Sequence, residues 1–90
     1  MYFVYILYAE KFDRYYIGQT DNLELRLSRH NSGRAKSTKH YIPWELKYYE
    51  EFEFRGEALK RERFLKKQKS KEFYRRLISN LGPIDLDKLR

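Results

Sequence analysis

The chain has 90 residues, no cysteine and a formal charge of +7. That length fits one domain, and the missing cysteines exclude a disulfide scaffold, a thiol nucleophile and any cysteine-based zinc site. Residues 1–54 balance eight Lys/Arg against eight Asp/Glu, while residues 55–90 set twelve against five and hold the whole excess, the footprint of a nucleic-acid binder or of a basic surface for an acidic partner.

The N-terminal MYFVYILYAE lacks a basic n-region and a small-residue cleavage site, so it reads as a strand rather than a leader. Tyr2–Ala9 is almost wholly aromatic or aliphatic, as in a strand buried on both faces. After Glu10-Lys11-Phe12-Asp13, the segment Arg14–Thr20 resumes the strand pattern and predicts a hairpin. Pairing Ala9 with Arg14 places Leu7 opposite Tyr16 and Tyr5 opposite Gly18, so Tyr5 and Tyr16 share one face. Gly18 then leaves open space beside Tyr5.

Asp21-Asn22-Leu23-Glu24 resembles a capping box. The helix it opens runs to Asn31 or Ser32 and stops at Gly33, with Leu23, Leu27, His30 and Arg26 on its inner side. Residues 33–43 form a basic loop with Arg34, Lys36, Lys39 and His40. Trp44–Phe54 is strand-like, with Trp44, Leu46 and Tyr48 alternating. A second helix spans about Gly56–Lys69, where Ala58, Glu62, Leu65 and Lys69 share a face with Leu59 beside them. A third follows Ser70, with Phe73, Tyr74, Leu77 and Ile78 apolar, and ends at Leu81-Gly82-Pro83. The expected fold is α+β: a small three-stranded antiparallel sheet flanked by helices, in the order β-β-α-β-α-α. It forms one domain over residues 1–80 with a C-terminal tail over 81–90.

Two polar residues stand where helices should be apolar, Arg26 and Glu62. Turned inward and unpaired, either costs several kcal/mol. The bland alternatives are an Arg26–Glu62 salt bridge or long side chains that reach out to water. Most of the nine tyrosines are expected in packing roles, and His30 and His40 are not spaced as a metal pair. Without a Gly-rich phosphate loop, HExxH or GxSxG, nucleotide hydrolases, zincins and serine hydrolases are disfavoured.

Phe3-Val4-Tyr5 followed by Tyr16-Ile17-Gly18 resembles the motif pair that names the GIY-YIG nucleases. Asp21-Asn22-Leu23, Arg26-Leu27 and His30-Asn31-Ser32-Gly33 look like that family's first helix with its catalytic Arg. Glu57-Ala58-Leu59-Lys60-Arg61-Glu62 looks like the segment bearing its metal-binding Glu. The likeness spans about residues 2–80 and is nearest to the small stand-alone bacterial UvrC-like branch. Three positions depart from the pattern: Phe3 replaces the first Gly, Gln19 stands where the UvrC branch has Lys, and His30 where it has Tyr.

The resemblance implies a metal-dependent DNA endonuclease, structure-specific or repair-related, with Tyr5, Tyr16, Arg26 and Glu62 catalytic and convergent on one cleft. Glu62 would be the protein ligand of one Mg²⁺ (or Mn²⁺) ion, and Arg26 would hold the phosphate oxygens. Tyr5 would orient or deprotonate the water, its phenolate favoured by Arg26 and the metal. Tyr16 would touch phosphate or position Tyr5. Further phosphate contacts are expected at Gln19, His30, Lys36, Lys39, His40, Lys66 and Lys67. DNA is the expected partner, with RNA also open and a repair protein a further candidate; a monomer with no membrane partner, cytoplasmic and nucleoid-associated, is expected. A non-catalytic binding module of the same fold, or a subunit that cuts only with a partner, stays open as the alternative.

Overall fold

In a computed structural model of the chain, residues 1–80 are described. The elements are β1 (Tyr2–Ala9), β2 (Arg14–Thr20), α1 (Leu23–Asn31), β3 (Glu45–Phe52), α2 (Arg55–Gln68) and α3 (Lys71–Ser79). The three strands form an antiparallel sheet in the order β2-β1-β3, so the fold is the α+β arrangement expected from the sequence. The end expected for the third helix at Leu81-Gly82-Pro83 and the tail 81–90 lie outside the described residues.

The central strand β1 is buried on both sides because it contributes to two cores. Val4 and Ile6 join Ile17, Tyr48, Ala58, Leu65 and Tyr74, so α2 and α3 cover that face. Tyr5, Leu7 and Ala9 join Leu23 and Trp44 on the other, under α1 and the loop that follows it. Alternation along a strand divides its side chains between faces in this way. The hairpin register pairs Ala9 with Arg14, Leu7 with Tyr16 and Tyr5 with Gly18, as the sequence indicated. A short 3₁₀ turn, Glu10–Phe12, makes the connection. It closes on Asp13 in the left-handed region (φ 48°), which Asp tolerates better than most residues. The Asp13 carboxylate accepts from the Tyr8 hydroxyl at 2.8 Å and from Lys71 Nζ at 3.1 Å, tying the hairpin to α3.

Three local expectations are corrected. First, Ile6 pairs with Tyr48 but Leu7 pairs with Leu46, so one extra residue in β3 makes a bulge. The bulge breaks the alternation of Trp44, Leu46 and Tyr48 and sends Tyr48 to the opposite core. Second, α1 is capped by Asn22, whose side chain accepts from Leu25 N at 3.0 Å. Asp21 lies one residue too early, so the capping box does not form. Third, Lys69 lies beyond α2 in the left-handed region (φ 47°) and is exposed. Ser70 starts α3 there, its side chain accepting from Phe73 N at 3.2 Å.

Only Ala58 and Leu65 of α2 are buried, a thin apolar seam for fourteen residues. A polar anchor adds to it. Arg61 donates from Nε and Nη2 to the Glu50 carboxylate of β3 at 2.9 Å each. Such a bidentate pair fixes orientation as well as distance.

Candidate active site

The site begins at a glycine. A Cβ on Gly18 would lie 2.4 Å from Tyr5 Oη and 2.5 Å from its Cζ. The space that the sequence left open beside Tyr5 is therefore filled by the Tyr5 ring, which lies over the edge strand β2. Tyr16, two residues back on the same face, has its ring centroid 6.4 Å from that of Tyr5. The His30 ring stands 4.9 Å from Tyr16 and 6.1 Å from Tyr5.

His30 is a correction. Expected at a phosphate, it is 1% exposed with both ring nitrogens engaged inside the protein. Nε2 is 3.0 Å from Tyr5 Oη and Nδ1 is 2.8 Å from Thr38 Oγ1. Burial, then Arg26 and Arg29, hold its pKa below the ordinary imidazole value, favouring the neutral ring. Thr38 is fully buried although it sits in a basic loop. Its carbonyl accepts from Trp44 Nε1 at 2.9 Å. Asn31 clamps the Trp44 backbone from both sides, accepting from N at 2.6 Å and donating to O at 2.9 Å. These bonds fasten the loop against α1.

Burial drives the Tyr5 phenol well above its ordinary pKa; Tyr16 and Glu62 add to the rise and Arg26 opposes it. Desolvation thus outweighs Arg26 and favours the neutral phenol. Tyr5, Tyr16, Arg26 and Glu62 come from β1, β2, α1 and α2 respectively. They do not meet on one face. Glu62 shares the α2 face of Ala58 and Leu65, which packs on the side of the sheet opposite Tyr5.

A groove of about 710 Å³ runs along β2; Tyr5, Arg26 and Glu62 are not among the residues that line it. Tyr16 lines it from one face of β2, Tyr15 and Ile17 from the other, and Arg14, Lys66, Lys69 and Lys71 supply cations. Lys66 is also the ion-pair partner of Glu62, at 3.2 Å one helical turn away. Among the described residues no ion pair joins Arg26 to Glu62, so the buried-pair explanation of these two residues does not apply. Lys36, Lys39 and His40 are exposed and flank Thr38 in the loop. Lys67 is exposed on α2, outside the groove lining. Gln19 is half-buried on β2, on the Ile17 side.

Among the described residues no group of three His, Asp or Glu side chains is placed to hold a metal ion as an all-protein cage. Glu62 keeps a 16% exposed side chain beside the groove. A lone carboxylate suits Mg²⁺, which keeps most of its waters and takes phosphate oxygens as further ligands.

Sequence reasoning missed Thr38, Asn31 and Trp44. Nothing in the pattern separates a buried threonine from the solvated residues around it. Asn31 gave a faint signal, an amide in the last turn of a helix before Gly33.

Comparison with known proteins fits this architecture. The family model of the GIY-YIG catalytic domain matches residues 1–76. A UPF0213 protein in the ldhD 5′ region of Pediococcus acidilactici is 46% identical over 68 residues, covering 72% of this chain and 69% of that protein. The UPF0213 protein CPE1444 of Clostridium perfringens (strain 13 / Type A) is also 46% identical over 68 residues, covering 74% and 72%. The solution NMR structure of the UPF0213 protein BH0048 from Bacillus halodurans is similar with a TM-score of 0.54 and 31% identity, covering 91% of this chain and 87% of that one. Matched from its first residue into α3, the chain belongs to the GIY-YIG catalytic domain family, alongside the small UPF0213 proteins.

Proposed function

We propose that this protein is a metal-dependent DNA endonuclease whose reaction takes place at the β2 edge. The observation that carries the reading is the cluster of Tyr16 and His30 around Tyr5, whose hydroxyl lies 3.0 Å from His30 Nε2, with Tyr16 opening onto a cation-lined groove and Arg26 and Glu62 on the helices α1 and α2. Phosphodiester hydrolysis needs such a set: an acceptor for the water's proton, a cation for the phosphoryl oxygens and a hard anion for a metal.

In this reading Arg26 holds the non-bridging oxygens of the scissile phosphate, and the groove lysines hold neighbouring phosphates. As the water oxygen bonds to phosphorus, its proton moves to Tyr5 Oη and the Tyr5 proton moves to His30 Nε2. The P–O bond to the 3′-oxygen breaks, that oxygen takes a proton from solvent, and His30 gives its proton back to solvent, which restores the neutral ring. Tyr5 then needs no standing phenolate, which suits its raised pKa. Tyr16 positions Tyr5 or meets phosphate. Glu62 would hold Mg²⁺ or Mn²⁺, which when bound supplies Lewis-acid stabilisation at the phosphate.

The alternative, a binding module of the same fold, has one observation in its favour: Glu62 is already neutralised by Lys66. Glu62→Gln separates the two. Among the described residues its ion pair is with a 53% exposed lysine, so the variant should lose at most about 1 kcal/mol of stability. Binding to duplex, flap and four-way DNA should persist, while cleavage in Mg²⁺ or Mn²⁺ should vanish as it does for wild type in EDTA. Retention of full metal-dependent cleavage by Glu62→Gln refutes the assignment.

A further inference from the structure

The hydrogen bonds around His30 have a direction, and it can be derived. Tyr5 is 2% exposed, and among the described residues His30 Nε2 is the hydrogen-bond partner of its hydroxyl. No buried side-chain polar atom in this set lacks a partner. If Nε2 carried the ring proton, it would donate to Tyr5 Oη and leave the phenolic proton without an acceptor. With Nδ1 carrying it, every proton is placed. Tyr5 donates to Nε2, Nδ1 donates to Thr38 Oγ1 at 2.8 Å, and the Thr38 hydroxyl turns to the Ala35 carbonyl at 3.5 Å. A neutral imidazole has one donor and one acceptor nitrogen, and the partner of one fixes the role of the other.

We propose that Thr38 is a positioning residue for the reaction: by accepting from His30 Nδ1–H it holds the ring in the tautomer whose Nε2 can receive the Tyr5 proton. The inference rests on the nuclease reading for its consequence but not for its geometry. Thr38 touches no substrate in this scheme and acts through His30 alone. The loop that carries it is itself fixed by Trp44 and Asn31, so the acceptor stays in place.

Two measurements on the full chain test this. The first reads the imidazole ¹⁵N shifts and two-bond couplings of His30 by NMR at pH 7.5, without substrate. Wild type and Thr38→Ser should show the Nδ1–H form. Thr38→Val, which keeps the shape and deletes the acceptor, should shift the ring toward Nε2–H. The second is steady-state cleavage of DNA with Mg²⁺. Thr38→Val should lower kcat roughly ten- to a hundredfold, the usual effect of losing a partner that orients a functional histidine. KM should stay unchanged, and Thr38→Ser should restore kcat.

An Nε2–H ring in the wild type overturns the proposal even if Thr38→Val does not fold. So does a tautomer change in Thr38→Val that leaves kcat intact, or a fall in KM alone. If wild type cleaves nothing under any condition, the nuclease reading fails. The tautomer comparison then still decides whether Thr38 sets the ring.

Discussion

Gly18→Ala should destabilise this domain, although the same change in an ordinary strand is favourable by about 0.5–1 kcal/mol. The new Cβ would lie 2.4–3.0 Å from three atoms of the Tyr5 ring, where carbon contacts settle near 3.5–4.0 Å. The ring must therefore move by about 1 Å, and it has nowhere to go, being 2% exposed and packed between Leu7, Leu23 and Trp44. Overpacking of this kind costs about 1–3 kcal/mol. A shift of that size also stretches the 3.0 Å bond to His30, and an orphaned buried acceptor costs about another 1–3 kcal/mol. Set against the strand gain, the net loss is on the order of 2–4 kcal/mol, a large share of what a small domain holds. At roughly 4–8 °C per kcal/mol for this size, Tm should fall by about 10–30 °C. Urea melts of a double-mutant cycle with Tyr5→Leu isolate the cause. Once the ring is gone, Gly18→Ala should be neutral or stabilising, with a coupling of at least about 1 kcal/mol. An equal loss in both backgrounds, or no loss in the wild type, refutes the reasoning.

Two further outcomes follow from charge. The His30 pKa is held below 6.5 in the folded chain, so as pH drops below that value the unfolded chain binds a proton first. Stability should be at full strength above pH 6.5 and decline as pH falls toward the folded pKa. Urea midpoints between pH 7.5 and 5 read this decline, and it should be absent in His30→Gln. Binding to duplex DNA should weaken linearly with log salt, at about −0.9 per phosphate neutralised, and charge reversal at Lys66 and Lys67 should flatten the slope in fluorescence anisotropy. Affinity indifferent to salt would point away from the phosphate backbone.

The hairpin was legible because it is governed by local rules. Alternation and loop length set its register, and the register alone put Tyr5 opposite Gly18 and on the side of Tyr16. Helix boundaries were legible to within a residue or two at Gly33 and Ser70. The bulge in β3 was not, because one inserted residue leaves the composition of a strand unchanged yet reverses every face beyond it. Arg26 and Glu62 stood out as polar residues on apolar helix faces, but their pairing is tertiary. Sequence suggested that they might bond each other, whereas α2 crosses the opposite face and Glu62 turns to Lys66. His30 was placed on the inner side of its helix, and its burial bears that out, whereas the phosphate contact also expected of it does not fit a buried ring. Its burial depends on Thr38, eight residues on in a loop with no periodic signal.

The distribution of polarity across the site has a physical logic. Cations are cheap in water and expensive in a core, and the groove cations Lys66, Lys69 and Lys71 are all exposed. Neutral donors and acceptors are affordable inside when each is matched, and the buried chain from Tyr5 through His30 to Thr38 is matched at every step. Glu62 stands at the boundary, its side chain 16% exposed and paired with an exposed lysine. Binding and chemistry are thereby placed in different dielectric surroundings. Salt should screen the exposed lysines strongly and the buried chain hardly at all, so raising ionic strength should increase KM before it changes kcat. A parallel fall in kcat at saturating DNA would mean that the groove cations take part in the chemical step as well as in holding the strand.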